Sequence, residues 1–80
     1  NSLSGTLPTE LGQLTGLLHL FLDENSFQGS LPTELGLLKD LKFVWLNFNE
    51  LTGTIPTEVG TLTALQQFFT YGNLLLMGTI

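Results

Sequence analysis

The sequence predicts an α/β solenoid, a stack of short coils in which each coil adds one strand to a parallel sheet and one helical turn behind it. Three observations lead there. All three prolines, Pro8, Pro32 and Pro56, stand 24 positions apart and open the segments PTELG, PTELG and PTEVG. Asparagines keep that spacing at Asn1, Asn25, Asn49 and Asn73, and glycines do so in two columns, Gly5/Gly29/Gly53 and Gly12/Gly36/Gly60. The apolar residues between these marks recur in phase. A catalytic loop has no use for copies of itself, whereas a unit that stacks on its own copy does.

Each element follows from its column. The first coil carries Leu14, Leu17, Leu20, Leu22, Asn25 and Phe27, and the second Leu38, Leu41, Val44, Leu46, Asn49 and Leu51. The third carries Leu62, Leu65, Phe68, Thr70, Asn73 and Leu75. Leu20 and Leu22 alternate inward on a short strand while His19, Phe21 and Asp23 point outward. Strands of successive coils then pair in parallel at about 4.8 Å, because no coil can bury its apolar side alone. Asn25 follows the strand where the chain turns, and its amide can bond backbone groups that have left the ladder. Proline opens the helical turn, where a missing N–H costs nothing. Glu10, Glu34 and Glu58 fall in that first turn, beside the positive end of the helix. Gly12, Gly36 and Gly60 are expected to release the chain through a left-handed conformation.

The motif L-x-x-L-x-x-L-x-L-x-x-N-x-L, with GTLPTELG, GSLPTELG and GTIPTEVG after it, resembles the leucine-rich-repeat family in its plant-type subclass, and the likeness covers essentially the whole chain. The resemblance implies a horseshoe segment with a concave parallel sheet and helical or 3-10 turns on the convex side. It also implies a receptor-like, extracellular or cell-surface ectodomain, coupled elsewhere to a membrane span and a kinase. Units are expected near 1–24, 25–48 and 49–72, with a partial one at 73–80. Neither end carries a polar cap, so the chain reads as part of a longer array with further repeats of the same chain beside it.

One unit is irregular. Asn73 to Gly78 is one residue longer than Asn25 to Gly29 or Asn49 to Gly53, Thr70 replaces an inward Leu, and LLLM (74–77) stands where SFQ and ELT did. Drift in a tolerant loop accounts for this; a local bulge touching a neighbouring element is the alternative.

Composition removes several functions. The 80 residues are 42% hydrophobic, which requires a packed structure. Seven acids face two lysines, Lys39 and Lys42, too few cations for nucleic acid or for docking on anionic lipid. Leu17 to Leu22, the longest nearly apolar stretch, is far too short to span a bilayer. There is no cysteine and no Asn-x-Ser/Thr sequon, so disulfides and thiolate chemistry are out and one pointer to secretion is missing. No cofactor, metal site or catalytic constellation is expected. His19 lies about 13 Å along the strand from Asp23, beyond hydrogen-bonding reach. Its closest outward neighbour is Phe43. The Glu10/Glu34/Glu58 column reads as solvated helix-start acids, and the chain reads as no enzyme.

What remains is the outward face of the strands. Its columns are Phe21/Trp45/Phe69, His19/Phe43/Gln67, Asp23/Asn47/Tyr71 and Glu24/Phe48/Gly72, which hold six of the eight aromatics; Phe27 and Phe68 fall at inward positions. Cross-strand packing alone explains such rings to the extent of roughly 0.2–1 kcal/mol per pair. A recognition surface explains them better, because parallel strands already have their ladder. The candidate site is therefore Phe21, Trp45, Phe69, Tyr71, Phe43, Phe48, Asp23 and His19, for a protein or peptide ligand, with a glycan as another option. Two further readings are a purely structural spacer and, from the columns Thr6/Ser30/Thr54 and Thr9/Thr33/Thr57, ice binding; turn chemistry explains those hydroxyls more simply.

Overall fold

A computed structural model describes residues 3–73 and 75–77. Asn1, Leu74 and 78–80, and with them the far end of the irregular unit, lie outside the described residues. The described residues form seven strands, β1 (Ser4–Thr6), β2 (His19–Phe21), β3 (Ser26–Gly29), β4 (Phe43–Trp45), β5 (Glu50–Thr54), β6 (Gln67–Phe69) and β7 (Leu75–Met77). Three 3-10 turns, Thr9–Gln13, Thr33–Leu37 and Thr57–Thr61, sit between them.

The expected sheet is β2–β4–β6, parallel and in the register of the repeat, with Leu20 opposite Val44 and Val44 opposite Phe68. Alternation holds on it: Leu20 and Val44 are buried, and the residues flanking each are not. Behind these strands lies a core of Leu20, Leu35, Leu38, Leu41, Val44, Leu46, Leu51 and Val59, against which Leu17, Leu22, Leu65 and Phe68 pack. Burying each such side chain stabilises the fold by roughly 1.5–3 kcal/mol. The middle coil has a coil on either side and is buried most completely. Leu14, expected in the same inward column as Leu38, is instead 52% exposed, whereas Leu62 of that column is buried.

A second parallel sheet, β1–β3–β5–β7, is an addition to the expected architecture. SFQ and ELT, read as loop, are its strands. In it Ser4 faces Ser26 and Gln28 faces Glu50, but Thr52 faces Leu75, one residue further along than those pairs. The extra residue after Asn73 is therefore absorbed as a register shift between β5 and β7, within a strand pair and not in a free loop. Thr70 is half-buried, so its hydroxyl does not face the full cost of an unpaired buried group.

The asparagine column joins the two sheets. Asn49, buried, accepts the Phe27 N–H at 3.1 Å through Oδ1 and donates from Nδ2 to the carbonyls of Leu22 (2.9 Å) and Leu46 (3.1 Å). Asn25 and Asn73 repeat the pattern toward Leu3 and Leu51. One amide thus satisfies backbone groups of its own coil and of the coil before it, as expected of a residue placed where the ladder ends.

Each proline stands just before its turn with extended φ and ψ, and its carbonyl accepts the N–H three residues on. The glycines inside the turns correct the sequence reading. Gly12, Gly36 and Gly60 have no positive φ; among the described residues the left-handed glycines are Gly5, Gly29, Gly53 and Gly72. Gly36 is small because the next coil touches it: a Cβ there would meet the Cβ and the carbonyl oxygen of Glu58, each at 2.7 Å. Gly12 meets Glu34 in the same way at 2.9 Å.

Candidate functional site

Strands β2, β4 and β6 bring the outward side chains into register, with His19 opposite Phe43 and Phe21 opposite Trp45, and Trp45 in turn opposite Phe69. The rings respond by stacking. Phe21 and Trp45 lie with centroids 4.1 Å apart and planes 27° from parallel, and His19 and Phe43 at 4.9 Å and 18°. Two rings sharing a plane cannot come so close, so these pairs are face to face along the solenoid axis. Trp45 and Phe69 continue the column at 6.0 Å and 19°, and His19 and Phe21 sit side by side along β2 at 5.4 Å.

The run then turns. Phe69 and Tyr71 are tilted by 51° at 6.0 Å, and Tyr71 meets Phe48 edge to face, at 5.3 Å and 87°. Phe48 adopts φ 59°, a left-handed conformation rarely used by a bulky residue, and Glu24 one coil earlier has φ 58°. At the third coil the equivalent residue is Gly72, and the Phe48 ring occupies the space of a side chain there, with Cδ1 2.5 Å from where a Cβ would be. Six aromatics and His19 thus make one unbroken run from His19 to Phe48.

Exposure is uneven along it. Phe43, Trp45 and Phe69 are half-buried: Phe43 stacks on His19, and Trp45 lies between Phe21 and Phe69. Phe21, Phe48 and Tyr71 are 48%, 52% and 58% exposed, well above what packing alone requires of large rings. Gln67 is an addition to the predicted set: its Oε1 accepts the Trp45 indole N–H at 2.9 Å and fixes that ring. Its only sequence signal is its place in the His19/Phe43 column. Asn47 departs from the expected outward column; it is 6% exposed, and its Oδ1 has no hydrogen-bond partner among the described residues. Asp23 shares that row without joining the rings. Among the described residues there is no cluster of His, Asp and Glu able to hold a metal ion, and no helix is long and apolar enough to cross a membrane.

The threonines behave as turn residues: the Thr9 and Thr33 hydroxyls donate to the carboxylates of Glu10 and Glu34 at 3.4 Å. Between these two turns lies a shallow, polar depression lined by Thr9, Glu10, Gly12, Gln13, Glu34 and Leu37. None of the predicted site residues lines it.

With stacked parallel strands, 3-10 turns and an asparagine ladder in place, the family follows. The model of the leucine-rich repeat matches residues 16–38 and 40–62, more than half of the chain, and the chain belongs to that family. The solved structures similar to it include plant receptors. It is 36% identical to a chain of the BIR3–SERK2 complex of Arabidopsis thaliana, with a TM-score of 0.92, over all of this chain and 43% of that one. It is 44% identical to the ectodomain of the Arabidopsis membrane receptor kinase GASSHO1/SCHENGEN3, solved with CASPARIAN STRIP INTEGRITY FACTOR 2 (TM-score 0.89; 91% of this chain, 9% of that one). It is 36% identical to the plant peptide hormone receptor RGFR1, solved with RGF2 (TM-score 0.93; all of this chain, 13% of that one). The chain therefore spans less than half the length of each of these proteins. No curated protein matches it significantly.

Proposed function

We propose that the chain is a non-catalytic recognition module, one solenoid segment of about three 24-residue repeats (near 1–24, 25–48 and 49–72, with a partial unit at 73–80), within a longer receptor-like protein. It binds a peptide or protein through the outward face of β2, β4 and β6, on the outer side of a cell membrane. The observation that carries this is the unbroken run of rings, three of them about half exposed, on a sheet whose backbone ladder needs none of them. The GASSHO1 and RGFR1 structures, each solved in complex with a partner, support the same use of the fold.

Ring orientation favours a peptide over a glycan. A sugar docks by lying flat on an aromatic face, and the central faces are occupied by neighbouring rings. Ring rims carry partial positive charge and suit carbonyl oxygens and the edges of apolar side chains.

The test is selection of a random peptide library displayed on phage against the 80-residue chain and its Trp45→Leu variant, with circular dichroism confirming that both fold. Peptides enriched on the wild-type chain and lost on the variant are expected. Equal enrichment on both chains, or none on either, would contradict the proposal.

A further inference from the structure

Resting on that reading, we infer that the corner where the ring run ends is a pocket for a basic side chain of the peptide, an arginine or a lysine. The bends after β2, β4 and β6 run side by side: the Glu24 N–H donates to the Asn47 carbonyl at 2.9 Å, and the Phe48 N–H to the Tyr71 carbonyl at 3.0 Å. Two rows are therefore in step, Asp23/Asn47/Tyr71 and Glu24/Phe48/Gly72. The first coil supplies two carboxylates to them, and the second and third supply two half-exposed rings. Successive coils are about 4.8 Å apart, so a cation resting against Phe48 lies within reach of Glu24.

The chemistry of the corner is one-sided. Asp23 and Glu24 are acceptors only, while Asn47, between Asp23 and Tyr71 in its row, is buried and leaves the corner to the carboxylates and the rings. No lysine belongs to either row: Lys42 precedes β4, at the opposite end of the strands, and Lys39 donates to Thr61 at 2.8 Å. Carboxylates beside open aromatic rings fit a side chain that is rich in N–H groups, positively charged and carried on an apolar stem. A guanidinium meets all three requirements and stacks on rings besides. A neutral apolar side chain would satisfy the rings alone and leave the carboxylates idle.

The experiment is a titration of the 15N-labelled 80-residue chain with acetyl-Arg-Phe-amide and with its neutral isostere, acetyl-citrulline-Phe-amide, following backbone amide shifts. The arginine peptide is expected to shift the amides of residues 23–24, 48 and 71, and to bind about tenfold more tightly than the citrulline peptide. Adding salt should narrow that ratio. Glu24→Gln and Asp23→Asn should each remove most of the difference while leaving the dichroism spectrum unchanged. Equal binding of the two peptides at the rings would overturn the basic pocket and leave the aromatic surface standing. Shifts at the strand rings with none at residues 23–24, 48 and 71 would do the same. No shift from either peptide would overturn the pocket, and the phage selection then judges the surface separately.

Discussion

The two sides of each coil solve the same stacking problem with opposite side chains. Behind the core, the 3-10 turns of successive coils meet backbone to side chain, and the meeting point is a glycine: Gly12 against Glu34, Gly36 against Glu58. On the outward face of β2, β4 and β6 the meeting residues are the largest available, Phe21, Trp45 and Phe69, stacked face to face. Both columns repeat every 24 residues, so periodicity alone does not separate packing from function. Available space differs between them: Gly12 and Gly36 sit where nothing larger fits, whereas Phe21 stands about half exposed.

Substitutions can break or sharpen this contrast. The largest effect is expected where both sides are tied together. Asn49→Ala leaves the Phe27 N–H and two carbonyls without their partner and should cost about 3 kcal/mol or more in urea unfolding. Next comes the contact between turns: Gly36→Ala forces a Cβ onto the Glu58 backbone and should cost about 1–3 kcal/mol. Gly60→Ala is its control. Among the described residues no packing neighbour lies within 4 Å of the added Cβ, and φ is not positive, so this change should be neutral or stabilising by up to about 1 kcal/mol. If both glycine variants behaved alike, close approach would not be the reason for the column. Smallest is Glu24→Asn, which tolerates φ 58° better and should raise stability by a few tenths of a kcal/mol, seen as a slight rise in the unfolding midpoint.

Much of this fold was legible because repetition fixes register. Once Leu20, Val44 and Phe68 share a column, the pairing of β2, β4 and β6 follows, and with it the nearness of His19 to Phe43. The role of the asparagines was legible too, since a short amide where a strand ends has few other uses. The second sheet was not. Ser26–Gly29 and Glu50–Thr54 mix Ser, Gln, Thr and Gly with a single buried apolar residue each, and they become strands only because a neighbouring coil offers a ladder. The turn glycines were misread because glycine serves two purposes, positive φ and close approach, and a column of letters does not tell them apart. The candidate face was legible as a set of residues but not as a geometry. That Phe48 folds over Gly72, that Gln67 holds the indole and that Asn47 is buried all depend on rotamers set by the adjacent coil.

Whether the ring column is there to recognise a ligand or only to pack is the central question, and Trp45→Leu answers it when one peptide recovered from the phage selection is titrated calorimetrically into both chains. Loss of a central ring from a recognition surface should weaken that peptide at least about tenfold, while the free energy of unfolding drops by no more than about 1 kcal/mol. Unchanged affinity together with a markedly less stable chain would contradict the account and make the rings part of the scaffold.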